Sequence, residues 1–275
     1  MELFETEGTF LTWRKNVSSQ IGFVPTMGAL HEGHASLLRR ARRECDKVVL
    51  SIFVNPTQFG PNEDFNKYPR TLEQDCIVAK ECGIDVVFAP AQFYSADFST
   101  YIEETKRSIH LCGKFRPGHF RGVTTVVYKL LRLVDPHFAY FGLKDAQQFF
   151  VIKKMVEDLN LSTTLVGCDT VRESDGLAMS SRNRYLTKEE RLRAPLLYQT
   201  LLSTRIALLE KKTPWKTLQT QATQALTQSS MTPQYFELCS IPDLQPTEAL
   251  SSGQHILASA VLTENGTRLI DNVIF

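Results

Sequence analysis

The sequence predicts an α/β fold, a Rossmann-like doubly wound parallel sheet followed by a smaller C-terminal α+β domain. Short, continuous apolar runs, typical of strands buried on both faces, alternate with segments of helical periodicity. This alternation implies right-handed crossovers and a parallel sheet. The pattern ends in a polar stretch at 172–187, and a different arrangement of helices and strands follows it. We therefore predict a first domain at 1–172 and a second at 173–275.

The predicted elements of the first domain follow in order along the chain. Residues 21–27 form an apolar strand, and the glycines after it allow a tight turn into a helix with apolar residues Leu37, Leu38 and Ala41 on one face. The further predicted strands are 47–55, 84–90, 137–142 and 162–172, and the further helices are 71–83, 124–134 and 146–160.

The second domain is predicted to begin with two helices, at about 188–211 and 214–229. Two β segments follow, at 234–241 and 255–275. The second of these contains Glu-Asn-Gly-Thr at 264–267, and Asn-Gly between apolar runs is a strong hairpin signal.

Composition and charge exclude several functional classes. The 275 residues are 43% hydrophobic and 22% charged, an ordinary soluble composition with a net charge of +1. We therefore expect no nucleic acid and no membrane surface as partner. No run approaches the ~18 apolar residues of a membrane-spanning helix, and the N-terminus does not resemble a secretory signal. Six cysteines without a CxxC pair indicate reduced thiols in a cytoplasmic protein.

The stretch MGALHEGH at 27–34 lies between the first strand and its helix. In doubly wound sheets ligands bind beyond the carboxyl ends of strands, and a helix N-terminus favours phosphate. His31 and His34 could donate hydrogen bonds to phosphate oxygens. The zinc-protease motif needs histidines at i and i+4, so the i, i+3 spacing excludes it. A zinc site with His110 or His119 lacks partners at ligand spacing, and two solvated histidines in a turn remain an alternative.

Two neutral amides, Asn55 and Gln58, follow the second strand. Amides can hold hydroxyl and carboxylate groups without a formal countercharge, which preserves the nucleophilicity of a bound carboxylate. Capping of the loop by Asn, Pro and Gly is an equally good explanation of these residues.

The segment 113–127 combines three glycines with basic residues. It suits a mobile loop that closes over an anionic substrate or shapes an interface. An exposed basic turn is the more frequent role for side chains of this kind.

Polar residues also follow the strand at 137–142. Lys144 could neutralise a phosphate, Asp145 could orient Lys144 or reach a magnesium ion, and Gln147 or Gln148 could bind a polar substrate.

The interdomain loop carries Ser180, Ser181 and Arg182. These side chains could cap a triphosphate and stabilise its developing charge. No G-x-S-x-G elbow surrounds the serines, so we do not expect a serine nucleophile.

Five blocks in order resemble the pantothenate synthetase family of pantoate–β-alanine ligases: PTMGALHEGH, SIFVNPTQFGPNEDFNKYPR, RPGHFRGV, FGLKDAQQ and DGLAMSSRNRYL, with RLIDN in the tail. The resemblance implies a nucleotidyltransferase-type Rossmann fold related to class I aminoacyl-tRNA synthetases. HEGH then resembles their HIGH-type motif and MSSRN their KMSKS-type loop. It also implies a C-terminal domain that closes over the active site, and a homodimer.

The implied reaction has two steps. The carboxylate of (R)-pantoate attacks the α-phosphorus of Mg-ATP to give pantoyl adenylate and diphosphate. The amine of β-alanine then displaces AMP and forms pantothenate, a precursor of coenzyme A. Catalysis would rest on positioning and on donors that meet charge building on phosphate oxygens.

The resemblance also implies roles for individual residues. Gln58 and Gln148 would bind the substrates pantoate and β-alanine, Asp75 would be a partner of magnesium, and His34 would donate a hydrogen bond to the α-phosphate rather than a proton. The catalytic set would be His31, His34, Lys144, Ser180, Ser181 and Arg182. The ATP-binding set would be Met27, Gly28, Ala29, Leu30, His31, Glu32, Gly33, His34, Gly142, Leu143, Lys144, Asp145, Val171, Met179, Ser180, Ser181 and Arg182.

One residue departs from the family pattern. Leu143 stands where the family usually has a polar residue, often Glu. Because Lys144 and Asp145 are intact, we expect Leu143 to be peripheral to the chemistry.

Two other functions fit parts of the sequence. A nucleotidyltransferase acting on a phosphorylated alcohol would also use an HxGH element, but Gln58 and Gln148 stand where strong cationic partners would be expected. A non-catalytic RNA-binding module is disfavoured by the near-zero net charge and by the lack of a dense basic stripe.

Overall fold

The computed structural model describes residues 1–61 and 63–275, which form nine strands and nine α-helices. The strands are β1 (Glu2–Phe4), β2 (Ile21–Thr26), β3 (Lys47–Ile52), β4 (Val86–Phe88), β5 (Phe138–Gly142), β6 (Thr164–Cys168), β7 (Thr232–Ser240), β8 (His255–Leu262) and β9 (Arg268–Ile274). The helices are α1 (Glu7–Arg14), α2 (Glu32–Glu44), α3 (Leu72–Glu81), α4 (Cys112–Phe115), α5 (His119–Val134), α6 (Ala146–Asp158), α7 (Lys188–Arg193), α8 (Leu196–Glu210) and α9 (Trp215–Gln228).

The chain divides into two compact units. The first comprises Met1–Glu104, Pro117–Leu143 and Val151–Asp169, and the second comprises Thr105–Arg116, Lys144–Phe150 and Thr170–Phe275. The predicted boundary at 172/173 lies near Thr170, but two earlier segments also belong to the second unit. A single boundary in the sequence cannot describe a unit that is built from three separate segments of the chain.

The first unit contains a parallel six-stranded sheet of order β1-β4-β3-β2-β5-β6. The predicted α/β fold is therefore confirmed. After β2 the chain adds β3 and β4 on one side, and β5 and β6 lie on the other. This reversal places the topological switch point, where doubly wound sheets bind ligands, between β2 and β5.

The carboxyl edge of the sheet opens at that switch point. Strands β2 and β3 pair over six residues, whereas β2 and β5 pair only at Gly22–Phe138 and Phe23–Ala139. Beyond Phe23 the last residues of β2 have no ladder partner on β5. The core beneath this edge is apolar and includes the fully buried Val24, Leu38 and Leu50.

The second unit contains an antiparallel sheet of order β7-β8-β9, with α8 and α9 packed on it. Its core includes Leu201, Leu226, Phe236 and Leu257. The predicted hairpin joins β8 to β9, where Gly266 adopts a positive φ of 84°. None of the helices in the described residues combines the length and apolar character needed to cross a membrane.

Several elements differ from the sequence-based prediction. Helix α5 begins at His119 and not at 124, because the left-handed Gly118 before it allows the chain to enter the helix earlier. The single helix predicted at 188–211 is two helices, α7 and α8, which meet at Ala194 and Pro195. Pro195 has no N–H to continue the first helix. The short strand β1 and helix α1 were not predicted.

Candidate active site

A left-handed turn connects β2 to α2. Gly28 has φ 81° and Ala29 has φ 52°, a conformation that turns two backbone N–H groups towards Asp75 on α3. Asp75 accepts hydrogen bonds from Ala29 N at 3.0 Å and from Leu30 N at 2.8 Å. A Cβ on Gly28 would lie 2.9 Å from Asp75 Oδ2, so glycine permits the close approach.

These contacts give Asp75 a role that differs from the expected contact with magnesium. Its side chain is 1% exposed, both oxygens accept backbone N–H bonds, and the Thr71 hydroxyl lies 3.3 Å from each oxygen. In the described part of the chain no group of three His, Cys, Asp or Glu side chains could hold a metal ion. The geometry therefore favours Asp75 as the residue that holds the turn after β2.

His31 and His34 form a reciprocal cap at the N-terminus of α2. His31 Nδ1 accepts from Gly33 N at 3.1 Å, and His34 Nδ1 accepts from His31 N at 3.3 Å. The ring centroids are 4.1 Å apart. Orphan N–H groups of the first helical turn are thereby satisfied.

The cap determines which nitrogen of each imidazole carries hydrogen. A ring nitrogen that accepts a bond from a backbone N–H cannot itself be protonated, so the hydrogen of each neutral ring is on Nε2. In this tautomer the Nε2–H group of each ring can act as a hydrogen-bond donor.

Glu32, between the histidines, has its own partner. Its carboxylate forms an ion pair with Arg39, further along α2, and this hydrogen bond lowers the pKa of Glu32. The Glu32 side chain is thus directed along the helix surface.

Gln58 lies in a 3₁₀ turn, Pro56–Gln58, beyond the carboxyl end of β3. It is 9% exposed, its Oε1 accepts from Asn55 Nδ2 at 3.0 Å, and its Nε2 donates to Met27 Sδ at 3.0 Å. Met27 immediately precedes the turn at Gly28. The predicted carboxylate-binding amide and the predicted phosphate-binding helix end are therefore neighbours within the first unit.

The predicted residues on β5 and after it divide between the units. Gly142 and Leu143 belong to the first unit, and Leu143 packs on β6, where a Cβ on Gly167 would lie 3.0 Å from Leu143 Cδ2. This apolar packing accounts for a leucine at a position where the sequence raised a question.

Lys144, Asp145 and Gln148 belong to the second unit. Lys144 Nζ lies 3.9 Å from Asp145 Oδ2, which is an ion pair beyond hydrogen-bond distance. The backbone oxygen of Lys144 accepts from Asn272 Nδ2 at 2.9 Å, so the RLIDN tail anchors this residue.

The two adjacent glutamines of the FGLKDAQQ block have different roles. Gln147 is buried and donates to the backbone oxygens of Arg107 and His110, while its own oxygen accepts from Cys112 N. The neighbouring Gln148 is only half-buried. Gln147 is therefore structural, whereas the substrate role of Gln148 stays a prediction.

The loop with the predicted KMSKS-like motif also lies in the second unit. Met179 N donates to Val171 O at 3.0 Å, and Ser180 caps a 3₁₀ turn, Ser181–Tyr185, by accepting from Arg182 N at 3.3 Å. The tail anchors the start of the loop, because Asp271 accepts two bonds from Arg172 at 2.6 and 2.9 Å.

Sequence reasoning missed three residues around Gln58. His119 was assigned to a basic loop but is buried against Gln58, Gly122 abuts the turn before Gln58, and Tyr94 bonds to Asn55. The only sequence signal for His119 and Gly122 was the glycine and histidine content of RPGHFRG, which indicated a loop equally well, and no signal marked Tyr94.

The family model for pantoate-beta-alanine ligase matches residues 2–274. The chain is 47% identical over 277 residues to the pantothenate synthetase of Thermotoga petrophila, covering 100% of this chain and 98% of that protein. It is 50% identical over 256 residues to the pantothenate synthetase of Thermosipho africanus, covering 92% and 91% of the two chains.

Solved structures agree with these relatives. The pantothenate synthetase of Thermus thermophilus superposes with a TM-score of 0.92 at 41% identity, covering 99% of each chain. The pantoate-beta-alanine ligase of Francisella tularensis, complexed with beta-gamma ATP and beta-alanine, superposes with a TM-score of 0.83 at 35% identity over 100% of this chain and 97% of that one. The chain therefore belongs to the pantoate-beta-alanine ligase family.

Proposed function

We propose that this protein condenses (R)-pantoate with β-alanine to pantothenate through a pantoyl-adenylate intermediate, releasing AMP and diphosphate. One observation in the structure carries the proposal. Gln58, a neutral amide suited to a carboxylate, contacts Met27, and Met27 leads directly into the turn and helix end that carry His31 and His34. An acceptor carboxylate and a nucleotide phosphate would thus bind side by side.

In the first step, the pantoate carboxylate attacks the α-phosphorus of ATP and diphosphate leaves. Gln58 would donate from Nε2 to an oxygen of pantoate, without the positive charge that would weaken the nucleophile. The Nε2–H groups of His31 and His34 would stabilise the charge that builds on phosphate oxygens. No proton transfer is needed in this step, because the attacking carboxylate is already ionised.

In the second step, the amine of β-alanine attacks the pantoyl carbonyl carbon, and AMP leaves. The attacking amine must be neutral, and the one proton that it loses as the amide forms is released to solvent as AMP leaves. AMP is a good leaving group, so the residues have mainly to hold the two reactants in line.

We assign further roles by motif. Lys144 would neutralise ATP phosphates, Gln148 would bind pantoate, and Ser180, Ser181 and Arg182 would stabilise the triphosphate. The anchoring of Lys144 and of Arg172 by neighbouring residues of the RLIDN tail supports these roles, since both segments are fixed to the same strand, β9.

Magnesium would enter as part of the substrate Mg-ATP. Protein-bound Mg²⁺ is commonly held by one or two carboxylates together with substrate phosphates and water. The buried Asp75 does not fit as a ligand, since its oxygens already accept backbone hydrogen bonds. We propose Asp145, which is exposed, as the better candidate.

We also propose that the enzyme is a cytoplasmic homodimer. Six free cysteines suit a reducing compartment, and the family resemblance supports the dimer. Light scattering should give twice the chain mass of 31.2 kDa. A monodisperse monomer at micromolar concentration would contradict the assignment.

The reaction can be tested by product analysis. Incubation with Mg-ATP, pantoate and β-alanine should yield AMP, diphosphate and pantothenate in equal amounts. Omission of β-alanine should leave a single turnover of diphosphate release with enzyme-bound adenylate. Release of ADP, or turnover independent of pantoate, would show that the proposed function is wrong.

A further inference from the structure

The N-terminal turn of α5 holds the backbone of Gln58. His119 is 9% exposed, and its Nδ1 lies 2.8 Å from the backbone oxygen of Gln58. A carbonyl oxygen only accepts hydrogen bonds, so His119 Nδ1 must carry hydrogen and donate. This bond joins residues 61 positions apart in the chain.

Gly122, one turn further along α5, lies directly against the 3₁₀ turn that carries Gln58. A Cβ at this position would be 2.3 Å from Thr57 O and 2.7 Å from Gln58 Cα. Backbone atoms cannot move aside as a flexible side chain can. The absence of a side chain at Gly122 therefore sets how closely the Gln58 turn approaches α5.

The orientation of the Gln58 amide is determined through Asn55. Asn55 Nδ2 donates to Gly122 O at 3.1 Å, and Asn55 Oδ1 accepts from Thr57 N at 3.3 Å. One partner only accepts and the other only donates, so the Asn55 amide cannot flip. Its Nδ2 must then face Gln58 Oε1, which turns Gln58 Nε2 away from Asn55 and towards Met27.

Tyr94 stabilises this orientation of the Asn55 amide. Its hydroxyl donates to Asn55 Oδ1 at 2.9 Å. Its ring is held by Phe98, with centroids 4.6 Å apart, and by the ammonium of Lys129, 5.3 Å from the ring centroid. A tyrosine hydroxyl is protonated at neutral pH, and burial raises the pKa of Tyr94 further.

We propose that His119, Gly122 and Tyr94 are positioning residues for pantoate. They act through Gln58: His119 and Gly122 fix its backbone, and Tyr94, through Asn55, fixes its amide as a donor. This inference rests on the proposed function, in which Gln58 binds pantoate. It predicts that changes at the three positions weaken pantoate binding and leave ATP binding unchanged.

The first test compares His119→Asn with His119→Leu. Asparagine carries its amide nitrogen on Cγ, as histidine carries Nδ1, so it can still donate to Gln58 O. Loss of one such bond costs about threefold to tenfold in affinity. His119→Leu should therefore raise the Kd of pantoate by that factor, measured by calorimetry, and His119→Asn should restore most of the loss. Equal pantoate affinity in both variants and the wild type would contradict the role.

The second test is Gly122→Ala, with Gly8→Ala as the control. Gly8 lies in α1 and an added Cβ there would meet no atom within 4 Å. Gly122→Ala must displace the Gln58 turn, and we expect the Kd of pantoate to rise at least about tenfold, since displacement by a fraction of an ångström breaks a hydrogen bond. The Kd of ATP should stay within about twofold of wild type, a change worth only a few tenths of a kcal/mol. Equal losses for both ligands would show a general structural effect and overturn the proposal.

The third test asks whether Tyr94 acts on pantoate binding through Gln58. Tyr94→Phe removes only the hydroxyl and should raise the Kd of pantoate about threefold, the range for one neutral hydrogen bond. In a Gln58→Ala background the same change should have no effect on pantoate, because the amide that it orients is absent. An undiminished effect in that background would contradict action through Gln58.

The same measurements distinguish failure of this inference from failure of the proposed function. If the wild type does not bind pantoate, or Gln58→Ala binds it as the wild type does, the proposed role of Gln58 is wrong. If Gln58→Ala weakens pantoate binding and the His119 and Tyr94 variants do not, only the positioning inference is wrong.

Discussion

At the scale of single residues, the proposed site depends most on which end of the Gln58 amide, Oε1 or Nε2, faces the substrate. Its oxygen accepts from Asn55, and in the proposed role its nitrogen donates to the substrate carboxylate. A glutamate at this position could still accept from Asn55, but its second oxygen would face the substrate carboxylate.

Gln58→Glu should therefore impair pantoate binding more than Gln58→Ala, although glutamate has nearly the same shape. The physical reason is like-charge repulsion in a mostly buried position. Pantoate titrations of the two variants near neutral pH give the comparison, with ATP titrations as the control. A glutamate variant that binds pantoate better than the alanine variant would show that Gln58 accepts from the substrate.

The histidines raise a second question at this scale, whether His34 moves a proton or only donates a hydrogen bond. Three variants separate the functions of its ring nitrogens. His34→Asn can keep the acceptor at the Nδ1 position, His34→Gln can keep a donor at the Nε2 position, and His34→Ala keeps neither.

If His34 acts as a hydrogen-bond donor, His34→Gln should adenylate pantoate fastest of the three in single-turnover experiments. Loss of a transition-state donor typically slows such a step by about 10²–10³, so His34→Asn and His34→Ala should be slower by that order. A glutamine variant as slow as alanine, with ATP binding intact, would instead support proton transfer by His34.

At the scale of elements, α3 determines the shape of the turn between β2 and α2. Asp75 is the only side chain of α3 that accepts the Ala29 and Leu30 N–H groups in the described chain. The contact joins elements about 46 residues apart.

Asp75→Ala should therefore lower the free energy of unfolding by about 3 kcal/mol, since two backbone donors lose their acceptor. It should also weaken ATP binding, because the turn carries the residues that lead into His31. Urea denaturation and ATP calorimetry measure both, with the exposed Glu73→Ala on the same helix as the matched control. Wild-type stability combined with an altered magnesium requirement would indicate a metal ligand instead.

At the scale of the whole molecule, stabilised carboxylates occur in both units. Burial opposes ionisation of Asp85, but the Val48 N–H and the charges of Lys47 and Arg42 outweigh it and lower the pKa. In the second unit, the hydrogen bond from Arg191 lowers the pKa of Asp175.

These shifts predict loss of stability in acid. A carboxylate with a folded pKa below its unfolded value stabilises the protein above the unfolded value, and this stabilisation is lost as pH falls through the folded pKa. The melting temperature should fall below about pH 4, near the unfolded pKa of Asp. Asp85→Asn should lower the melting temperature at neutral pH and differ less from wild type at about pH 3, below that unfolded pKa. A difference from wild type that is constant with pH would exclude ionisation of Asp85 as the cause.

By itself, the sequence determined the fold class and most of the elements, because alternating burial imposes a periodicity that is read locally. It also placed His31, His34 and Gln58 at strand ends, since parallel strands bring their carboxyl ends to one edge. The family followed from motifs that are contiguous in the chain.

Only the tertiary structure decided which buried polar groups are partners. Asp75 meets Ala29 across 46 positions and His119 meets Gln58 across 61, and periodicity carries no information about such pairs. The same limit explains why the local pattern left Gln147 and Gln148 as alternatives, and why only the family resemblance selected Gln148. Local sequence patterns indicate that a side chain is buried, whereas its hydrogen-bond partner depends on how distant segments pack. At Gln58 that packing determines which end of the amide is held by Asn55.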